Sequence, residues 1–335
     1  MAHCILSVAG GTLRANSDHE ELRRLYDRDP ATFLERTGDD PATELLLLKL
    51  GAAVTEQKDE LALELAMRAL RELPERAESH LWSAILYRRL NHPLAAMESI
   101  DCAEAVAATP DLGHWARQLR GAVLRSLGRQ KDAAVVYDAL RAEQNLSTGR
   151  RVRVLINAAS AYWPLGRLAD ADACLDEAAA VADWPVRENT EAWRHAIRAW
   201  VCAARGDLEA LNESVRSALA ATGGEALAAH RSARRAQARG REEAGDFPAA
   251  EAELLSLAAE ARREGWTGEL ADVLEDLATL RRKAGDGAGE LVVQRERIVL
   301  LKTSHQRERA QLARLEAARL DAARLHRGDG PDKPN

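Results

Sequence analysis

The densest cluster of side chains able to bind a ligand is a run of arginines: Arg231, Arg234, Arg235, Arg239 and Arg241. Arg231, Arg235 and Arg239 are spaced by four residues, so on a helix they share one face. Guanidinium groups on one face can donate charge-assisted hydrogen bonds to carboxylates or phosphates. Two interpretations stay open. The face is either solvated and balanced by Glu242 and Glu243, or it is a strip that recognises anions.

No pattern typical of catalysis accompanies these arginines. The sequence contains no GxSxG, HExxH or GxGxxG pattern and no phosphate-binding loop with a following lysine. The four cysteines are scattered singly and the nine histidines form no recognisable group, which predicts neither zinc nor a disulfide framework. We therefore expect no enzyme, no cofactor and no metal ion. A buried cluster of perturbed carboxylates in one pocket would reverse that expectation.

Composition narrows the class of protein. The 335 residues carry a net charge of −6 with both signs well mixed, which argues against a nucleic-acid binder, because that needs a basic face. Ala, Leu, Glu and Arg dominate and favour helix throughout. A strand is expected at most at Cys4–Val8. No run of about 18 apolar residues predicts a membrane span, and the start has no signal-peptide pattern, so we expect a cytoplasmic protein. The abundance of Arg and Ala is typical of a high-GC bacterial genome.

Glycines recur at a nearly fixed interval along the chain. The positions are Gly128, Gly166, Gly206, Gly245 and Gly285, and the differences between their numbers are 38, 40, 39 and 40. Asn91 extends the series backwards by 37 residues. Five residues after these points stand Ala96, Ala133, Ala171, Leu211 and Ala250. A period of this size predicts an array in which each unit is one supersecondary element.

Each glycine lies between two amphipathic stretches, which predicts a helical hairpin. In the fourth unit, Val152–Trp163 and Leu168–Val181 are the predicted helices, and Gly166 supplies the left-handed turn. The segment from Ile156 to Ala171, INAASAYWPLGRLADA, resembles the tetratricopeptide repeat. The resemblance covers residues from about 43 to 300. It implies an all-α, right-handed solenoid of about seven helical hairpins.

The resemblance also implies which side chains face the concave groove of the array. Aligning the turn glycines places the following residues there: Arg125, Arg153, Ile156, Asn157, Ser160, Trp163, Trp193, Trp200, Arg235 and Arg239. Asn157 occupies the position of the family's frequent asparagine, which can hold a peptide backbone. Four tryptophans have a second interpretation, since they could simply fill space between hairpins: Trp82, Trp115, Trp193 and Trp200. Arginine and tryptophan also dominate binding hot spots, so an extended or helical segment with acidic character is the expected ligand.

The two ends of the chain depart from the repeat. Residues 1–42 predict one or two short capping helices around Leu22, Leu25, Tyr26, Phe33 and Leu34. Residues 288–327 predict one long helix that overlaps the last hairpin, and residues 328–335 a disordered tail. The first part of that helix, with Leu291, Ile298 and Leu301, is expected to pack on the array. The second part is expected to stay uncovered, and a stripe of apolar residues along it predicts a homodimer: Leu301, Leu312, Leu315, Ala322 and Leu325.

The expected function is a non-enzymatic scaffold that binds a protein or peptide in its groove. One hypothesis is a signalling module, because the array resembles the sensory half of bacterial proteins in which such repeats precede a cyclase or kinase domain. No output domain follows here, so it would act in trans. The alternative is a regulator that binds a small signalling peptide. Regulators of that kind that bind DNA carry an N-terminal helix-turn-helix, and residues 1–42 look too short and too acidic for one.

Overall fold

The computed structural model describes residues 21–22, 24–26, 29–37, 43–56, 58–90, 92–181, 188–221 and 226–326. All regular structure in these ranges is helical. The predicted strand at Cys4–Val8, the predicted tail at 328–335 and the punctuating residues Pro185, Gly223 and Gly224 lie outside the described residues. The fold class is confirmed, because the chain is an all-α array of helical hairpins with a long C-terminal helix.

The described helices follow one another with short connections. Their bounds are α1 Pro30–Thr37, α2 Thr43–Thr55, α3 Asp59–Glu72, α4 Ala77–Arg89, α5 Pro93–Ala105, α6 Pro110–Ser126, α7 Gln130–Ala142, α8 Thr148–Tyr162, α9 Leu168–Ala180, α10 Glu188–Arg205, α11 Leu208–Ala220, α12 Ala226–Glu243, α13 Phe247–Glu264, α14 Thr267–Lys283 and α15 Gly287–His326. A 3-10 turn at Trp163–Leu165 extends α8. From α2 onward, each even-numbered helix and the odd-numbered helix after it form one hairpin.

The turn glycines adopt the conformation that the repeat predicts. Gly166 has φ = 73°, and the amide of Arg167 donates to the carbonyl oxygen of Tyr162 at 3.2 Å. A residue with a Cβ is strained at this φ. Gly128, Gly206, Gly245 and Gly285 share the conformation, with φ between 72° and 81°. The regular spacing of these glycines therefore reflects a need for a positive φ once in each hairpin.

The small residue after each turn lies where two helices pack closely. Ala96, Ala133, Ala171 and Ala250 are all completely buried. Leu211 replaces the small residue in the fifth hairpin and is buried as well. A Cβ atom at Gly240 on α12 would overlap the Cδ2 atom of Leu211. The larger side chain is thus accommodated because the facing residue is a glycine.

The chain divides into two compact units. The first contains residues up to Arg151 and from Arg309 onward, and the second contains Val152–Glu308. In the first unit, Trp82 and Trp115 meet edge to face with ring centroids 5.1 Å apart, and both are buried in its apolar core. The core interpretation of these two tryptophans is confirmed. In the second unit, alanines and leucines of α10 to α14 form the core.

The structure differs from the sequence prediction in both halves of helix α15. Leu291, Ile298 and Leu301 were expected to pack on the array, but they are 60%, 49% and 39% exposed. Val293 and Leu300 pack against the core of the second unit instead. The second half was expected to stay uncovered, yet Leu315 is completely buried in the core of the first unit. Apolar residues lie on every side of α15, so helical periodicity could not identify its buried face.

Candidate partner-binding surface

Two tryptophans of the predicted groove stack in the second unit. The rings of Trp163 and Trp200 lie 5.0 Å apart with an angle of 10° between their planes, and both side chains are half-buried. The indole Nε1 of Trp200 donates a hydrogen bond to Ser232 Oγ at 3.1 Å. This bond fixes the orientation of the pair. The result is an ordered aromatic platform that can receive an apolar side chain of a ligand.

The predicted groove residues of α8 differ in how accessible they are. Ser160 is only 4% exposed and Ile156 only 8%, so both belong to the interior rather than to an open surface. Asn157 and Arg153 are half-buried, and Arg153 already interacts within the chain. Trp193 on α10 packs partly buried against the core of the second unit. Ser160 is nearer to Trp163 in the sequence but is buried. Asn157 is therefore the predicted polar groove residue closest to Trp163 on α8 that remains partly exposed.

The predicted anion strip on α12 is neutralised from within the second unit. Arg235 Nε lies 2.7 Å from Asp276 Oδ2, and its Nη1 lies 3.2 Å from Asp272 Oδ2. Burial of this guanidinium favours its neutral form, but the charges of Asp276 and Asp272 outweigh burial and raise the pKa of Arg235. Arg239 contacts Glu242 at 3.0 Å and Glu243 at 2.6 Å. Both predicted ligand-binding arginines therefore have carboxylate partners already.

The neighbouring arginines of α12 are engaged in the same way. Arg231 is 6% exposed, donates from Nη2 to Glu269 Oε1 at 2.6 Å, and lies 3.8 Å above the ring of Trp266. Arg234 pairs with Glu253 at 2.6 Å and Glu260 at 2.8 Å. Guanidinium groups held this way fasten α12 to α13 and α14. Of the two interpretations of the arginine run, the structure favours charges balanced inside the protein.

The remaining predicted arginine, Arg125, lies in the first unit and has a different environment. It is in the last turn of α6, and its side chain is close enough to the hydroxyl of Tyr137 to affect its own pKa. Arg88, in the last turn of α4, is close enough that the charge of Arg125 contributes to its pKa. Neither arginine forms an ion pair with any residue that the structure describes. Sequence reasoning missed Arg88, although it precedes Arg125 by 37 residues (125 minus 88), which is close to one repeat.

Burial and charge both act on this arginine pair. The surrounding protein and the positive charge of Arg125 both lower the pKa of Arg88, although the side chain of Arg88 keeps solvent-exposed surface. Burial also lowers the pKa of Arg125. Tyr137 is completely buried and donates its hydroxyl to the backbone oxygen of Gln118 at 3.2 Å. Two cations that repel each other without a counter-ion form a site that a carboxylate would stabilise.

Two buried side chains of types often used in catalysis have shifted pKa values. Burial raises the pKa of Cys202, which favours the thiol over the reactive thiolate. Burial lowers the pKa of His114. In the described part of the chain, no three His, Cys, Asp or Glu residues are grouped so that they could hold a metal ion. Within those same ranges, no helix is both long and apolar enough to cross a membrane.

Comparison with known proteins identifies the fold. A chain of the APC/C hetero-tetramer Cut9–Hcn1 superimposes with a TM-score of 0.56 and 14% sequence identity, over 88% of this chain and 55% of that chain. This chain therefore spans about half the length of that similar structure. A tetratricopeptide repeat protein from Parabacteroides merdae ATCC 43184 matches with a TM-score of 0.39 and 16% identity, over 77% of this chain and 94% of that chain. No family model matches the sequence, and no curated protein matches it. The fold is that of tetratricopeptide repeat proteins.

Proposed function

We propose that this chain is a non-enzymatic scaffold that binds an acidic segment of a partner protein. Its hairpin array is of the type that presents extended surfaces to other chains. The observation that carries the proposal is the pair Arg88 and Arg125, whose charges interact and which have no carboxylate partner among the residues that the structure describes. A carboxylate of the ligand would form charge-assisted hydrogen bonds with both guanidinium groups and relieve their repulsion.

The stacked pair Trp163 and Trp200 is the second part of this proposal. Their rings offer apolar area in a fixed geometry, so a segment that carries an aliphatic or aromatic side chain would gain from packing on them. This platform also favours the second candidate, a regulator that binds a small signalling peptide, because such a ligand needs apolar anchors more than charge. A signalling role and a cytoplasmic location stay predictions from the sequence.

A peptide array tests the acidic preference directly. Peptides of about 12 residues would be compared with versions in which every Asp and Glu is replaced by Asn and Gln. The acidic versions should bind the wild-type chain more tightly. The variant Arg88→Ala/Arg125→Ala should show a smaller preference for the acidic versions, because each charge-assisted bond contributes about 1–3 kcal/mol.

A matched control separates this site from the protein's overall charge. Arg216 and Arg263 have side chains 74% and 71% exposed, and in the described part of the chain each pairs only with a neighbour on its own helix. Arg216→Ala/Arg263→Ala changes the net charge by the same amount and should keep the acidic preference. If both double variants fold and bind alike, Arg88 and Arg125 are not the binding site.

The predicted homodimer through the C-terminal helix has weaker support. One residue of its stripe, Leu315, is buried within the first unit, and Gln311 and Arg314 donate to Glu60 there. These contacts occupy a face that a second copy would need. Sedimentation of the full chain at tens of micromolar tests the dimer, and a single monomeric species would exclude it in that range.

A further inference from the structure

Five large aliphatic side chains are exposed within eleven residues of α15. Leu291, Val292, Ile298, Val299 and Leu301 are 60%, 63%, 49%, 64% and 39% exposed. The other exposed large apolar residues in the described part of the chain are spread over six helices, with no more than two on any of them. Scattered exposed aliphatics are normal, whereas a contiguous group marks an interaction site.

Helix geometry places these five residues on one side. Leu291 and Ile298 are seven residues apart, as are Val292 and Val299, so each pair repeats after two turns. Val293 and Leu300 are also seven apart, point the other way and pack on the core of the second unit. The segment therefore has two apolar faces. One is used by the fold, and the other, called here the outer face, is exposed to solvent.

The outer face carries positive charge without compensation. Arg295 and Lys302 lie between its aliphatic residues on the helix and are exposed. Neither forms an ion pair with a residue that the structure describes. The nearby carboxylates point elsewhere, since Glu296 is held by Arg262 at 2.7 Å and Glu290 by Arg282 at 2.6 Å.

This charge pattern decides between two kinds of occupant. A second copy packed face to face would bring Arg295 and Lys302 close to the same two cations of its partner, in either helix direction. Like charges at such a contact are unfavourable. A partner with carboxylates beside aliphatic side chains satisfies both features of the outer face. We propose that the outer face of α15 docks an acidic amphipathic helix of another protein.

The expected recognition follows from the spacing of the outer face. A helix with aliphatic residues at i, i+3 or i+4, and i+7 would insert them between Leu291, Ile298 and Leu301. Glutamates flanking that stripe would reach Arg295 and Lys302. This site is independent of the proposed arginine pair on α4 and α6, because it lies wholly in the second unit and needs apolar anchors.

Fluorescence anisotropy with the full-length chain tests the proposal. The probes are four labelled 14-residue amphipathic helices with leucines at i, i+3, i+4 and i+7 and glutamates at four different flanking phases. Analogues with glutamine or lysine in place of glutamate complete the set. At least one glutamate helix should bind, and its glutamine and lysine analogues should bind about tenfold or more weakly, since each lost ion pair or charge reversal acts in a partly desolvated contact.

Two variants locate the site. Leu291→Ser/Ile298→Ser should weaken the glutamate helix by about tenfold or more, because two aliphatic side chains leave the contact. Arg295→Glu/Lys302→Glu should weaken the glutamate helix and tighten the lysine analogue. As a control, Leu94→Ser/Val135→Ser removes two isolated aliphatics that are 71% and 67% exposed, and Arg88→Ala/Arg125→Ala removes the other proposed site. Both controls should leave the affinity unchanged.

Three results would overturn the proposal. The first is that none of the glutamate helices binds. The second is that glutamate, glutamine and lysine helices bind equally, which would make the outer face a non-selective apolar surface. The third is a dimer in sedimentation that Leu291→Ser/Ile298→Ser dissociates, which would make a second copy the occupant.

Discussion

The arginines of α12 and the pair Arg88 and Arg125 belong to equivalent helices of their hairpins, yet they have opposite surroundings. Arg231 and Arg235 both reach carboxylates on α14, the first helix of the next hairpin. Arg88 is on α4, and α6, the corresponding next helix, carries Arg125 near its end. The arginine run of α12 is therefore neutralised within the protein, whereas the pair Arg88 and Arg125 is not.

The difference comes from the residues one repeat later in the sequence. Glu269 follows Arg231 by 38 residues, and Asp272 and Asp276 follow Arg235 by 37 and 41. Helix α6 has one acidic residue, Asp111 in its first turn, and that carboxylate pairs with Arg150 at 2.9 Å. In a repeat array, the charge of a side chain has to be weighed against residues one period away. Local density of arginine is a poor guide to a binding site.

The largest effect is expected where a carboxylate is removed from a buried arginine. In Glu269→Gln, the guanidinium of Arg231 stays buried above Trp266 but loses its counter-ion. Loss of one partner from a buried pair costs about 3–5 kcal/mol, and the partial exposure of Glu269 favours the low end, about 3 kcal/mol. Urea unfolding followed by circular dichroism measures the change.

A second variant at the same place is the control for this prediction. Arg231→Met removes the charge and keeps an apolar stem over Trp266, so it should cost less than Glu269→Gln. Equal stability of wild type and Glu269→Gln would show that the pair contributes nothing, and the contrast with Arg88 and Arg125 would then fail.

The next effect is expected at Tyr137, the residue beside the unpaired arginines. Burial raises the pKa of Tyr137 to about 12, and the charges of Arg125 and Arg88 oppose that rise. The folded state thus holds the phenolic proton more tightly than the unfolded state does. The stabilisation is fully present below about pH 10 and is lost as the pH rises towards 12, by about 2–3 kcal/mol for a shift of about two units.

Tyr137→Phe isolates this titration from that of the other tyrosines and lysines. The variant loses the hydrogen bond to Gln118 at every pH, which costs about 1 kcal/mol. Between pH 10 and 12 its free energy of unfolding should fall less steeply than that of the wild type. Parallel curves for the two proteins would contradict the raised pKa.

A smaller effect is expected when an arginine with carboxylate partners and one without them are each replaced by glutamine. Arg235→Gln gives up contacts with Asp272 and Asp276, and because the pair is partly exposed the expected loss is about 1 kcal/mol. Arg125→Gln removes one of two repelling cations and keeps a donor for Tyr137, so stability should change by less than about 0.5 kcal/mol. Chemical denaturation of both variants under one condition makes the comparison. A larger loss for Arg125→Gln than for Arg235→Gln would reverse it.

Much of the fold could be predicted because the repeat acts through backbone geometry. Gly166 must adopt a positive φ, and Ala171 must be small, so both leave a mark in the sequence at a fixed interval. The packing of the large Leu211 side chain against Gly240 was not predicted. It depends on two residues that are 29 positions apart (240 minus 211) and meet only in the folded protein. The same limit applies to charge. Arg235 and Asp276 are about one repeat apart in the sequence, so a local pattern of charges does not report their pairing.

The faces of α15 could not be predicted for a different reason. Val292, Val293, Val299 and Leu300 are adjacent pairs, so one member of each lies on either side of the helix. Periodicity then contains no information about which side is buried. The burial of Leu315 depends on contacts with residues far away in the sequence. A local sequence pattern does not indicate such contacts.

The smallest effect tests whether Arg88 and Arg125 lack a counter-ion in solution. An uncompensated pair of guanidinium groups should bind a small dianion weakly, with a dissociation constant on the order of 100 mM. At about 100 mM sulfate, such binding would stabilise the folded state by about 0.4 kcal/mol. Sulfate also stabilises proteins in general by exclusion from their surface, so the measured quantity is the difference between sulfate and chloride compared across variants. Wild type and Arg235→Gln should show the full increment, and Arg88→Ala/Arg125→Ala should show only the general effect. If all three gain equally, the two arginines are no more open to an anion than those of α12.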